Sequence, residues 1–281
     1  MLIAQITDIH LGFVPDNPSE FNRRRLDRVL DMLIDGSNRP DLLLATGDLV
    51  DRGDEASYRR LAEALSACPF PVHYCMGNHD DRANFRAAFP SVPSVDGFIH
   101  YAVPLAGRRL IIVDTLDPGR HGGAFYEKRA AWLKARLGED RETPTLIVMH
   151  HPPVEAGIEW MNTHMDEPWV IRFSDALSGH PQVQGVICGH LHRPIVAPWG
   201  GTVMICPSTA PQVVLDLSPI DPDMPDGRPM IVADAPAFAL HRWTDAGPVS
   251  HFDSAGAPEV LARYDASMQP LARSLLAERP V

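Results

Sequence analysis

The sequence is short of several things, and each shortage excludes a class of protein. It has only four cysteines, Cys68, Cys75, Cys188 and Cys206, and none stands in a CxxC or other paired spacing. That argues against a disulfide framework and suits buried, reduced thiols. No run approaches the ~20 apolar residues of a membrane span. The opening "MLIAQITDIH" lacks a basic flank, and its apolar stretch is too short for a secretory leader, so a soluble cytoplasmic protein is expected. Positive charge is scarce too. With 25 basic against 36 acidic residues the formal charge is −11, which repels a nucleic-acid backbone. The longest basic run, "RRR" at 23–25, opens an amphipathic pattern and reads as a solvated helix face. Internal repeats and low-complexity tracts are absent.

What remains is an ordinary globular composition, 45% hydrophobic and 22% charged, long enough for one large core or two modest ones. Short apolar runs alternate with helical spacing. "LIAQI" (2–6), "DLLLAT" (41–46), "PVHYC" (71–75), "PTLIVM" (144–149) and "VQGVIC" (183–188) read as strands. Helices are expected from Leu26, over 55–67, in a short piece at "NFRAAF" and near 126–137. "FIHYAV" and "RRLIIVDT" form an expected strand pair, with "LAGR" as the turn. The class is α/β. After residue 208 the texture changes. "SPIDPDMPDGRP" (218–229) should be irregular, "FALHRW" and "PVSHF" a hairpin, and the tail from Pro258 helical.

The strands share one habit: nearly all end in polar residues, "TDIH", "TGDLVD", "GNHD", "HHPP" and "GHLH". In α/β sheets ligands bind beyond the carboxyl ends of strands, where such loops converge. Asp8 and His10 are two apart, as are His190 and His192, so in extended backbone each pair faces one side. Asp48, Asn78 and His150 also follow strands. Two Asp, one Asn and four His are nitrogen and oxygen donors with no thiolate. They suit Mn, Fe, Zn or Co rather than copper–thiolate or iron–sulfur chemistry. Seven donors are too many for one open octahedral ion and suit two ions if one carboxylate bridges.

The ordered set "DIH" (8–10), "GDLVDRG" (47–53), "GNHD" (77–80), "HH" (150–151) and "GHLH" (189–192) resembles the calcineurin-like metallophosphoesterase superfamily. The resemblance spans about two-thirds of the chain. It implies a four-layer α/β/β/α sandwich with a small C-terminal extension, and a dinuclear metal site at the sheet edge. One ion would take Asp8, His10, Asp48 and His192, the other Asp48, Asn78, His150 and His190, with Asp48 bridging. It also implies that His79 faces substrate, stabilising the transition state or protonating the leaving oxygen, and that the Asp51 carboxylate orients His79. Arg52 matches a phosphate-binding arginine of the serine/threonine phosphatases. Asp80 is expected to cap the following helix, His151 to support the ligands, and His164 to reach substrate. The other histidines have no motif context.

Short loops, the "MLIAQITDIHL" start and "HHPPVEAGIEWM" look most like bacterial class III cyclic-nucleotide phosphodiesterases and the related glycerophosphodiesterases. The expected activity is a metal-dependent phosphoric diester hydrolase acting on small diesters by attack of metal-bound hydroxide. The expected partners are a small-molecule substrate and further copies of the chain, with neither membrane nor nucleic acid. A phosphomonoesterase or protein phosphatase, suggested by "GDLVDRG", is the alternative, and a non-catalytic scaffold a further one. The catalytic core is placed at 1–208. Residues 209–281 are placed as returning strands, a Pro/Asp-rich lid or oligomerisation arm, and a C-terminal helix of the same compact domain.

Overall fold

A computed structural model of the chain describes residues 1–278. Along the chain run β1 (Leu2–Ile6), α1 (Phe21–Asp35), β2 (Leu42–Thr46), α2 (Glu55–Leu65), β3 (Val72–Cys75), α3 (Arg82–Ala88), β4 (Tyr101–Leu105) and β5 (Arg108–Ile112). Then come α4 (Glu127–Glu139), β6 (Thr145–Val148), a 3-10 turn (Glu159–Met161), α5 (Pro168–Leu177), β7 (Val183–Cys188), β8 (Ile195–Pro198) and β9 (Thr202–Ile205). The chain ends in β10 (Gln212–Val213), β11 (Ile231–Val232), β12 (Ala237–Thr244), β13 (Gly247–Ser254) and α6 (Gln269–Ala277).

Two sheets carry the fold. The first has the order β13-β12-β1-β2-β3 and the second β4-β5-β6-β7-β9-β8. Pairings β1–β2 and β2–β3 are parallel, as are β5–β6, β6–β7 and β7–β9. Both sheets are therefore buried on two faces, and the strands read as nearly unbroken apolar runs. Period-two alternation still sorts their side chains. In the second sheet Leu110, Ile112, Leu146, Val148, Ile187 and Met204 face the first sheet. Their neighbours Ile111, Ile147, Val186, Val203 and Ile205 face α4 and α5, against Leu133, Leu137 and Phe173. On the far side of the first sheet, Leu26, Val29, Leu33, Tyr58, Leu61 and Phe85 bring α1, α2 and α3 onto it. The result is the expected helix–sheet–sheet–helix sandwich.

The hairpin β12–β13 completes the first sheet, with Leu2 of β1 registered antiparallel to Arg242. Between the sheets, Gln5 donates to the Thr46 hydroxyl (2.7 Å) and the Cys188 carbonyl (2.9 Å), while its carbonyl oxygen lies 2.9 Å from His241 Nε2. This fully paired polar group joins both sheets just beneath their carboxyl edges. The segment 214–230 is irregular, as expected. The tail differs from expectation: residues 256–264 form no helix, and α6 begins only at Gln269. The apolar spacing of Val260, Leu261 and Tyr264 meets no core, and all three are exposed. Without a surface to pack on, such a short helix is not stable.

Candidate metal centre

The parallel strands of both sheets end along one seam, and eight polar side chains meet there, the seven expected donors and His79. β1 delivers Asp8 and His10, β2 delivers Asp48, and β3 delivers Asn78 and His79. From the second sheet β6 delivers His150, and β7 delivers His190 and His192. The backbone does this differently from the extended, same-face geometry expected of D-x-H. Asp8, His10, Asp48, His190 and His192 all have positive φ, between 46° and 73°. Only two other non-glycine residues do so among those described. The left-handed conformation costs a non-glycine residue on the order of 1–2 kcal/mol, so its concentration here marks a site held by its surroundings. Close packing adds a constraint at Gly77 and Gly189. A Cβ on Gly77 would overlap the Asp48 carboxylate, and one on Gly189 the Thr7 hydroxyl.

Four of these side chains have one end anchored, leaving the other free. Asp8 Oδ2 accepts from the His190 backbone N–H (2.9 Å), and Asp48 Oδ1 from that of His79 (2.9 Å). His150 Nδ1 lies 2.8 Å from the Thr46 carbonyl, and His192 Nδ1 2.8 Å from that of Pro211. Those contacts favour Nδ1–H on both rings and turn Nε2 inward. The free ends converge. Asp48 Oδ2 is 3.3 Å from His150 Nε2 and 3.7 Å from His10 Nε2, and Asp8 Oδ1 is 3.3 Å from His192 Nε2.

Three buried atoms of this cluster, Asp8 Oδ1, Asn78 Oδ1 and His150 Nε2, have no hydrogen-bond partner. Orphaned acceptors and an imidazole nitrogen at one point suit a cation that replaces the missing partners. Asp8, His10 and His192 could hold a metal ion, as could Asp8, Asp48 and His150. Such a donor set, carboxylate and amide oxygens with imidazole nitrogens, fits divalent ions.

Without a cation the charges balance one another. Burial favours neutral Asp8, but His192 and then His150 outweigh it and hold the carboxyl at about 2. Burial likewise opposes charge on His150, yet Asp48 and Asp8 raise it to about 9. His190 is held neutral, at about 3, by burial and by the adjacent His150.

Around the cluster, the other residues singled out in the sequence fall in different places. His79 is half-buried, with Nδ1 2.8 Å from the Asp51 carbonyl oxygen. The Asp51 carboxylate, expected on His79, instead faces His10 Nδ1 at 3.3 Å, because the backbone of Asp51 already occupies the space beside the His79 ring. Arg52 is exposed and lies 3.5 Å from Asp51. His151 is buried with both nitrogens engaged, by the Thr115 hydroxyl (2.8 Å) and the His121 carbonyl (3.1 Å). His164 is exposed; its backbone N–H donates to Glu167, and among the described residues it has no contact with the cluster.

Two readings are corrected or extended. Asp81, not Asp80, caps α3, accepting from Asn84 N–H at 2.8 Å. Asp80 is buried and accepts from Gly77 and Leu49 N–H and from the Tyr58 hydroxyl. Burial, reinforced by Asp48, raises its carboxyl to about 7. His121, in the exposed loop after Asp117, lies 3.4 Å from the Asn78 amide with its ring 6.2 Å from that of His79. Nothing in the order of motifs pointed to it; the only local signal is its Gly-rich setting, "PGRHGG".

A family model described as calcineurin-like phosphoesterase matches residues 1–194. The chain is 28% identical over 251 residues to a probable glycerophosphodiester phosphodiesterase of Arcobacter nitrofigilis, covering 87% of this chain and 89% of that one. It is 34% identical over 215 residues to a probable cyclic nucleotide phosphodiesterase of Synechococcus, covering 75% and 81%. Among solved structures, a dimetal phosphatase from Danio rerio superposes with a TM-score of 0.63 at 16% identity, over 91% of this chain and 99% of that one. That likeness shows the fold alone.

Proposed function

The chain belongs to the calcineurin-like phosphoesterase family, and from that premise we propose a dinuclear-metal-dependent phosphodiesterase of small diesters, 3′,5′-cyclic nucleotides or glycerophosphodiesters. The observation that carries this reading is the grouping of the unpartnered Asp8 and His150 atoms with the Asp48 carboxylate, together with an unpartnered, buried Asn78 oxygen. One ion would be held by Asp8, His10, Asp48 and His192, and a second by Asp48, Asn78, His150 and His190, the pair drawn from Fe, Mn, Zn and Co. When bound, such ions supply an acidified water and positive charge for the phosphoryl oxygens.

The chain's own residues do the rest. Anchored Nδ1 atoms on His150 and His192 keep Nε2 in place before any substrate arrives, so no reorganisation is needed during the reaction. His79 is fixed through Nδ1 by the Asp51 carbonyl, which leaves Nε2 facing outward. In the imidazolium form, Nε2–H gives its proton to the departing alkoxide. Asp51 acts on His10, keeping its Nε2 aimed at the cluster. Arg52 and His164 stand outside this core set. The exposed Leu271, Leu275 and Leu276 of α6 support self-association through the C-terminal segment.

The test is hydrolysis of bis-p-nitrophenyl phosphate by the Mn-reconstituted protein, followed by cAMP, 2′,3′-cAMP and glycerophosphoethanolamine. The diesters should be cleaved faster than p-nitrophenyl phosphate. Faster cleavage of that monoester would make the protein a phosphomonoesterase, and no cleavage of any ester would overturn the enzyme reading.

A further inference from the structure

The loops that bear Asp48 and His79 are joined by a residue outside every motif. Tyr58 lies on the inner face of α2 and is fully buried. Its hydroxyl donates to Asp80 Oδ1 at 2.8 Å and accepts from the Asp81 backbone N–H at 2.9 Å. Asp80 in turn accepts from Leu49 N–H (3.2 Å), next to Asp48, and from Gly77 N–H (2.9 Å), next to Asn78. The loop bearing Asn78 and His79 is thus pinned at both ends, at Gly77 and at Asp80–Asp81. The first pin runs through the Asp80 carboxylate that the phenol holds, and the second ends on the phenol itself.

We propose that Tyr58 is a positioning residue for the reaction: its hydroxyl locks the Asn78–His79 loop onto the Asp48 loop and so sets where the His79 ring points. Filling volume does not require the hydroxyl. The ring packs edge-on against Phe85, with centroids 5.8 Å apart, and phenylalanine would pack equally well. A buried hydroxyl is costly unless paired, and this one is paired twice, with two consecutive residues that follow His79. The Asp51 carbonyl is the His79 ring's other fixed point. Loss of the hydroxyl frees the loop on one side only, leaving the ligands anchored to Thr46, Pro211 and the backbone in place.

The rate readout rests on the diesterase reading; a second readout does not. Tyr58→Phe should lower kcat for an alkyl-leaving diester about tenfold, since small misplacements of a proton donor are expensive. KM should hold, and metal content should fall far less than the rate, since Asn78 is the one proposed ligand on the loosened loop. In a His79→Ala background the same substitution should cost nothing further, because both changes act through one ring. An equal loss in that background, or loss of metal in place of rate, overturns the proposal. Independently of any substrate, ring ¹⁵N resonances of His79 in the metal-loaded protein should shift in Tyr58→Phe, and an unchanged His79 signal overturns it too. If Tyr58→Phe does not fold, Asp80→Asn breaks the same clamp with the phenol in place, and the same two readouts apply.

Discussion

The two sides of the seam are built to different standards. On one side Asp8, Asp48 and His150 are at most 2% exposed, and His150 Nε2 lies within 4 Å of both carboxylates. On the other side His79 is half-buried, and His121 is open to solvent. The closed side has buried charge and unpartnered donor atoms, so it is suited to hold a cation. The open side has imidazoles that solvent and substrate can reach. On the proposed reading, the deepest ligands lie beneath the imidazole of His79 that would face substrate, within one set of strand ends.

Substitutions can break that division, and the largest effect is expected at its deepest point. Asp48→Ala removes the carboxylate oxygen that lies between His150 and His10. It should cut the rate by about 10³-fold or more and lower bound metal, checked by metal analysis beside the diester assay. Next comes acidity. His150 must be neutral to bind a cation, yet without one its pKa is about 9. Protons therefore compete with metal below pH 9. At pH 6 His192, whose burial is outweighed by the raising effect of Asp8, must lose a proton as well. Affinity should rise at least tenfold per pH unit from pH 6 and level off above pH 9. Competition with a chromophoric chelator would measure this. Asp8, at about 2, and His190, at about 3, already have their metal-binding protonation states and add no slope in that range.

Asp51→Asn tests whether the carboxylate serves the closed side or the open one. If it serves His10, metal affinity should fall about tenfold. The ratio of rates for alkyl and p-nitrophenyl leaving groups should then stay constant, because the Asp51 carbonyl still holds His79. A changed ratio would return the carboxylate to His79. The smallest effect is expected at Arg228, which ties Asp216 and Asp226 together within the 214–230 segment. Arg228→Ala should change KM by no more than about threefold and leave metal content alone, as befits a surface cluster.

Sequence reading reached the closed side more fully than the open one. Strand ends show as apolar runs stopping at polar pairs, and β1 was bounded correctly at Ile6 because Thr7 and Asp8 end the run. The ligand types followed from those exits. The conformation at Asp8 and His10 did not, since it depends on hydrogen bonds to Gly47 and Asp48 from another strand. The one-residue slip at Asp80 has a similar cause. Asp80 and Asp81 are equivalent as local caps, and only Tyr58 and Leu49, distant in sequence, draw Asp80 inward. His121 reaches Asn78 across 43 positions, beyond any local pattern. β8 and β9 escaped notice because β8 is short, half-exposed and bounded by prolines.

The pairing of Leu2 with Arg242 bears on how the molecule is made. β1 meets β2 early, but its other edge stays bare until β12 emerges some 190 residues later, roughly 10 to 40 s at ordinary synthesis rates of 5–20 residues per second. Through that interval "LIAQI" presents an apolar row of unpaired backbone groups, which invites pairing with other nascent chains. The closing hairpin is therefore a guard against aggregation as well as a structural element. A chain cut before Ala237 would keep every metal-binding side chain and should still be lost to edge-to-edge association.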